Sequence, residues 1–168
     1  MLSRVFFLLI MLFSATCVAA APAPRTGEAQ VRESASGLPC FTISEREERR
    51  NGAPNFAAIT VFDPSSRPRS TMWTMSMPPG RTFPVLFSMC VPYGGRVQSL
   101  PQTAAVALDT GKVYEVLIDV RAGDTPNQPR GYGARFCLAR QRDGSVIVHR
   151  IDPGAHEGRN LFGCLAPK

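Results

Sequence analysis

The segment Val113–Val120, with the sequence VYEVLIDV, decides the fold class of this chain. Its large apolar residues Tyr114, Val116 and Ile118 alternate with other residues, among them the charged Glu115. Successive side chains of a strand point to opposite faces of a sheet, so this period of two predicts an antiparallel strand with one buried and one polar face.

Further short segments rich in β-branched and aromatic residues surround this strand, with glycine or proline between them. Ala134–Arg140 and Ser145–Ile151 are joined through Asp143-Gly144, which favours a tight hairpin turn. Four more such segments are Cys40–Ser44, Asn55–Phe62, Thr71–Met77 and Thr82–Cys90. About seven strands therefore predict an all-β, single-domain antiparallel β-sandwich or small barrel.

Helical patterns are confined to two stretches, Ser44–Arg50 and Ala104–Asp109. Both are too short to organise a fold, because an isolated helix of this length is marginal in water.

The beginning of the chain has the features of a secretory signal peptide. Arg4 precedes the apolar run Val5–Phe13, and small residues follow. The run is shorter than the roughly 20 residues that a membrane-spanning helix needs. We expect a signal peptide over residues 1–20 with the mature protein starting at Ala21, a flexible Pro-, Ala- and Ser-rich leader over 21–37, and a β-rich globular domain over 38–168. The expected location is the periplasm.

Four cysteines lie beyond this signal: Cys40, Cys90, Cys137 and Cys164. An even number in an exported chain predicts two disulfides, for which three connectivities exist. We favour Cys40–Cys90 with Cys137–Cys164. Structural disulfides fit better than a zinc or redox centre, because no CxxC spacing occurs.

Cys17 lies inside the signal and is a candidate lipid anchor. A lipidation motif has Leu three residues before the cysteine and Gly, Ala or Ser directly before it, whereas Ser14 and Thr16 occupy these places. The sequence therefore favours a free periplasmic protein, with a lipoprotein anchored at Cys17 as the alternative.

The net charge of +6 comes almost entirely from arginine, since Lys112 and Lys168 are the only lysines. Arginine suits planar partners such as carboxylates and phosphates. In an exported protein this indicates an acidic protein surface or an envelope polyanion, and not nucleic acid. Ordinary solvated surface charge is the simpler interpretation.

Two groups of residues are candidates for metal binding or catalysis. Trp73, Met75 and Met77 lie on one side of a predicted strand and could hold Cu(I) or Ag(I), as in periplasmic copper chaperones, although core packing is the commoner role of such a pattern. His149 and His156 have no hydrolase or phosphate-binding motif around them. We expect no enzymatic activity and no cofactor.

Two aromatic-glycine loops are candidates for contact with a protein partner. They contain Tyr93 and Arg96 in one loop and Arg130 and Tyr132 in the other. Tyr and Arg commonly anchor interfaces. Alternatively, each tyrosine covers an end of the sandwich.

A pattern of cysteines, strand residues and turn residues resembles the periplasmic immunity lipoproteins associated with type VI secretion. The matching motifs are Cys40-Phe41, Cys90-x-x-Tyr93-Gly94, Gly111-Lys112-x-Tyr114-x-Val116-x-Ile118 and Tyr132-x-Ala134-x-Phe136-Cys137-Leu138. The resemblance implies a protein that binds and neutralises a cognate secreted antibacterial toxin in the periplasm. The alternatives are a Cu(I)/Ag(I) chaperone and an envelope structural or binding module.

Overall fold

The structure, a computed structural model, describes residues 25–121, 123, 128–152 and 164. These residues form eight strands and one short helix. In chain order they are β1 (Thr26–Glu33), β2 (Pro39–Ile43), α1 (Glu45–Asn51), β3 (Phe56–Asp63), β4 (Ser70–Ser76), β5 (Val91–Pro92), β6 (Val113–Val120), β7 (Gly131–Arg140) and β8 (Val146–Ile151). The all-β prediction is confirmed.

The strands form one curled, mainly antiparallel sheet that makes a half-barrel, in the order β4-β3-β6-β7-β1-β2-β5. The long strand β7 pairs with β6 along one edge. Its other edge is shared, because β1 pairs in parallel with Gly131–Gly133 and β8 pairs antiparallel with Arg135–Arg140. From Ala29 onward β1 leaves β7 and pairs with β2, which carries the sheet around its curl.

Strand β1 corrects the prediction of a flexible leader over residues 21–37. Thr26–Glu33 is a central strand, with Ala29 fully buried and Val31 nearly so. Opposite β1, Tyr132 lies against Gly27 and fills the space above it. Position 27 must be glycine for this reason, and glycine among small and polar residues is typical of a linker.

The predicted strand over Thr82–Cys90 is also wrong. Phe83 and Val85 do pack against the core, but the backbone makes only an isolated bridge between Pro84 and Asn55 before turning at Leu86. Proline has no N–H group and therefore interrupts a ladder of hydrogen bonds.

The suggested helix over Ala104–Asp109 is an extended strap instead. It runs along the outer edge of β4, where the N–H of Val106 donates to the carbonyl of Met72 at 2.9 Å and that of Thr103 to the carbonyl of Thr74 at 3.0 Å. The strap thereby covers an edge that would otherwise expose unpaired backbone groups.

Helix α1 agrees with the helical pattern over Ser44–Arg50. The hydroxyl of Ser44 accepts a hydrogen bond from the N–H of Glu47 at 3.3 Å and caps the helix. Acidic residues occupy its first turn and Arg49 and Arg50 its last turn, which suits the helix dipole. Gly52, at φ 72°, ends the helix.

The core lies on the inner face of the curl. Its largest fully buried side chains are aromatic: Phe41, Phe56, Trp73, Tyr114, Tyr132 and Phe136. Phe136 contacts both Phe41 and Tyr114, with ring centroids 5.4 and 5.8 Å apart. The strands β2, β6 and β7 thus meet at one aromatic cluster.

Both favoured disulfides are present, with Cα atoms 5.3 Å apart for Cys40–Cys90 and 5.6 Å apart for Cys137–Cys164. They indicate an oxidising compartment. The second bond lies in a small cluster with Ala139 and Ile151, on the face of β7 opposite the main core.

Several expectations fall outside the described residues: the signal peptide over 1–20 with Cys17, the start at Ala21, and His156. Within the part of the chain that is described, no helix has the length and hydropathy to cross a membrane.

Candidate functional site

The outer face of the sheet carries an open groove of about 880 Å³. Its floor includes Phe62 on β3, Leu117 on β6 and Gly133 on β7. Gly133 lies directly between Leu117 and Glu28 of β1 in the sheet register. We call this feature the arginine groove, because arginine side chains from five parts of the chain line it: Arg25, Arg46, Arg69, Arg135 and Arg150.

Glu115 organises one side of the arginine groove. Its carboxylate accepts hydrogen bonds from Arg135 at 2.9 Å and lies 3.5 Å from a guanidinium nitrogen of Arg69. Glu115 is only 18% exposed, whereas Arg69 and Arg135 are 64% and 61% exposed. The carboxylate is therefore mostly buried while the two guanidinium groups face solvent. We call Glu115, Arg69 and Arg135 the Glu115 triad.

Glu28 organises the opposite side in the same way, and we call Arg46, Glu28 and Arg150 the Glu28 triad. Arg150 of β8 donates to the Glu28 carboxylate and, at 3.1 Å, to the side-chain oxygen of Gln30. Arg46 of α1 lies 3.5 Å from Glu28 and is 68% exposed. The exposed Asp152 lies 3.7 Å from Arg150 and offsets part of its charge.

An ion pair whose carboxylate is buried lines one end of the arginine groove. Arg25 donates to both carboxylate oxygens of Glu47, at 2.8 and 2.9 Å, and Asn51 donates to the same carboxylate at 2.9 Å. The hydrogen bonds from Arg25 hold the pKa of Glu47 below its ordinary value, although burial opposes this. This pair fixes α1 against the start of β1.

Tyr132 lies beneath this ion pair. Burial, with a smaller contribution from the negative charge of Glu47, raises its pKa to about 12. Its ring is completely buried and contacts the position where a Cβ atom of Gly27 would stand. Tyr132 therefore supports the end of the groove from below.

The arrangement suits the binding of carboxylates. Five arginines face four acidic residues in the groove, and the most exposed of these groups include Arg46, Arg69 and Arg135. A guanidinium has five N–H donors in a planar fork, so an arginine held by one glutamate still has donors for a second carboxylate. The glutamates hold these forks in place before a ligand arrives.

The four residues predicted to contact a partner have two different environments. Tyr93 is buried, and its hydroxyl donates to the carbonyl of Val106 at 2.6 Å. Tyr132 is buried beneath the groove, so neither tyrosine faces outward as expected. Arg96 and Arg130 are exposed and remain predicted contact residues outside the arginine groove.

The residues considered for Cu(I) binding lie mainly in the core. Trp73 is 1% and Met75 2% exposed, while Met77 is partly buried against the same cluster. The ring of Trp73 packs edge-on against Tyr93, with centroids 5.6 Å apart. These side chains are used in packing. His149 lies half-buried on β8.

Sequence reasoning did not single out the two triads. The alternation in β6 does place Glu115 on the polar face, but Arg135 comes to lie across from it through the pairing of β6 with β7, which the sequence analysis did not predict. Glu28, however, lies in the segment predicted to be a leader. Arg69 comes close to Glu115 only because β3 pairs with β6.

Comparison of the chain with protein-family models, with curated proteins and with solved structures gives no match. The class that the fold defines is a disulfide-linked, all-β half-barrel with a charged groove on its outer face.

Proposed function

We propose that this protein is a periplasmic immunity protein that binds and neutralises a cognate secreted antibacterial toxin. The observation that carries the proposal is the arginine groove, a large open surface with solvent-facing guanidinium groups on a disulfide-linked sheet. Arginine is among the residues that dominate the binding energy of protein interfaces.

The groove is built on rigid elements, which suits tight inhibition. Its glutamates lie on β1 and β6, the strands on either side of β7, and they hold Arg135 and Arg150 through hydrogen bonds. Side chains already fixed in their bound arrangement lose less entropy on binding, so more of the contact energy appears as affinity.

The two disulfides support a site of action in an oxidising compartment, where such a toxin would be met. The sequence features predicted to export the protein agree with this location. Export without a lipid on Cys17 would leave the protein free in the periplasm.

The test uses the protein encoded by the adjacent reading frame, because immunity proteins are encoded beside their toxins. Cells that express this neighbour in the periplasm should survive only when the present protein is co-expressed. Calorimetry with the purified neighbour should give stoichiometric binding. If the wild-type protein neither protects nor binds, the immunity function is wrong.

Two matched variants locate the contact. Arg135→Ala removes an exposed groove arginine and should weaken binding by thirtyfold or more, which corresponds to a loss of about 2 kcal/mol. Arg142→Ala removes the same charge from the exposed β7–β8 turn and should leave affinity nearly unchanged. If Arg96→Ala or Arg130→Ala weakens binding and Arg135→Ala does not, the contact is at the loops.

A further inference from the structure

We infer that the arginine groove holds an extended acidic segment of a protein, with two carboxylates four residues apart and an apolar side chain midway between them. This inference rests on the proposed function, which makes the occupant a protein, and it names the chemistry that the groove would recognise.

The two triads supply the anchor points for the carboxylates. Each triad has two guanidinium groups for one low-lying glutamate, with Arg46 and Arg69 most exposed to solvent. Two strand spacings of about 4.8 Å and an offset of two residues along β6 separate the Cα atoms of Glu28 and Glu115 by about 12 Å. A ligand that reaches both triads must span this distance.

An extended peptide has this span. Residues i and i+4 lie on the same side of an extended chain and about 13 Å apart. Residue i+2 points the same way, between them. Two carboxylates at i and i+4 could therefore meet one triad each.

The floor between the triads suits the middle side chain. Leu117 is half-buried and apolar and lies beside Gly133 in the sheet register, and a Cβ atom on Gly133 would meet only Thr26 and the carbonyl of Val116, at 3.6 and 3.7 Å. The absence of a side chain at 133 leaves open space above β7. An apolar side chain at i+2 can enter this space and contact Leu117.

The same surface disfavours a uniform polyanion such as a polyphosphate or a sulfated glycan. Such a chain carries negative charges at every repeat and would place some of them beside Glu28 and Glu115. It would also bring no apolar group to Leu117. A peptide with two separated carboxylates avoids both costs.

The first experiment measures binding of synthetic peptides to the full chain with both disulfides formed. The probe is acetyl-Gly-Glu-Ser-Leu-Ser-Glu-Gly-amide. Replacing both Glu residues by Gln, moving them to i and i+2, or replacing Leu by Ser should each weaken binding at least about tenfold. Equal binding of the Gln peptide, or tighter binding of heparin or polyphosphate than of the probe, would overturn the inference.

The second experiment assigns each carboxylate to its triad. Arg46→Gln and Arg69→Gln should each weaken binding of the probe about three- to tenfold, whereas Arg142→Gln should not. A peptide with only one Glu should stay sensitive to one of the two groove variants and become insensitive to the other, as in a double-mutant cycle. Equal sensitivity of the one-Glu peptide to both variants would contradict two separate anchors.

Gly133→Val blocks the floor with a residue that suits a strand, and should weaken peptide binding at least about tenfold. Circular dichroism and thermal unfolding check that the variant is folded; if it is not, Leu117→Glu on the same floor replaces it. Undiminished peptide binding by a folded blocking variant would show that the peptide lies elsewhere.

The outcomes separate this inference from the proposed function. Peptide binding that Gly133→Val abolishes, without any protection by the wild type against the neighbouring toxin, would retain the groove chemistry and reject immunity. Protection that persists in Gly133→Val would retain immunity and reject the groove as its contact.

Discussion

Gly27 provides the sharpest test of the fold, because it lies in the strand that the sequence did not reveal. We predict that Gly27→Ala destabilises the protein strongly. A Cβ atom at this position would stand 2.5 Å from Cδ1 and 2.6 Å from Cε1 of Tyr132, and 2.9 Å from Cγ of Pro129. Because the Tyr132 ring is completely buried, it has no free space into which to move.

The magnitude follows from two opposing effects. Forcing an extra methyl group into a well-packed core costs about 1–3 kcal/mol. Replacing glycine with alanine restricts the unfolded chain and returns about 0.5–1 kcal/mol. With so short a contact the upper part of the first range applies, so Gly27→Ala should lower the free energy of unfolding by about 2 kcal/mol.

Gly133→Ala is the matched control, because Gly133 lies on β7 beside Tyr132 but faces the open groove. Its new methyl group would make only ordinary contacts, at 3.6 and 3.7 Å. Its stability should stay within about 0.5 kcal/mol of the wild type. Both variants keep the disulfides, so the unfolded states remain comparable.

Thermal and urea unfolding of the oxidised protein, followed by Trp73 fluorescence and circular dichroism, measure the difference. For a domain of this size, 2 kcal/mol corresponds to a fall in Tm of about 4–8 °C. If Gly27→Ala unfolds like the wild type, residues 26–33 do not pack against Tyr132, and the prediction of a flexible leader in this region is correct. Equal destabilisation by both variants would show that contact with Tyr132 is not the cause.

Three further predictions concern pH and metal. Burial raises the pKa of Tyr93 and Tyr132 to about 12. The stability that these neutral tyrosines contribute should therefore be fully present below pH 10 and be lost as pH rises through 12. A titration of tyrosinate absorbance with a midpoint near 10 in the folded protein would contradict this. The hydrogen bond from Lys112, with those from nearby serines, holds the pKa of Asp63 well below its ordinary value, so stability should fall as pH drops below about 4. Asp63→Asn should cost about 1–2 kcal/mol at neutral pH and flatten this acid dependence, and parallel acid unfolding curves for variant and wild type would refute the role of the pair. Anaerobic Cu(I) should leave Trp73 fluorescence unchanged, whereas quenching complete at one equivalent would support the copper chaperone.

Elements that depend on neighbouring residues can be predicted from the order of the amino acids alone. Val113–Val120 forms β6 with the predicted bounds and inward face, since large apolar residues at every second position leave one choice of face. The Asp143-Gly144 pair marks the turn between β7 and β8, and Ser44 caps α1. In these cases the residues that determine the strand, the turn or the helix cap lie within a few positions of one another.

The path of β1 and the position of the groove depend instead on contacts between distant parts of the chain. The inward residues of β1 include Gly27 and Ala29, and position 27 must be small because Tyr132, more than a hundred positions later in the chain, fills the space beside it. The alternating pattern of β1 is weak because most of its inward side chains are small, and the large apolar group beside Gly27 comes from a distant part of the chain. The triads likewise exist only because β1 and β6 lie on either side of β7 and bring Glu28 and Glu115 to one outer face.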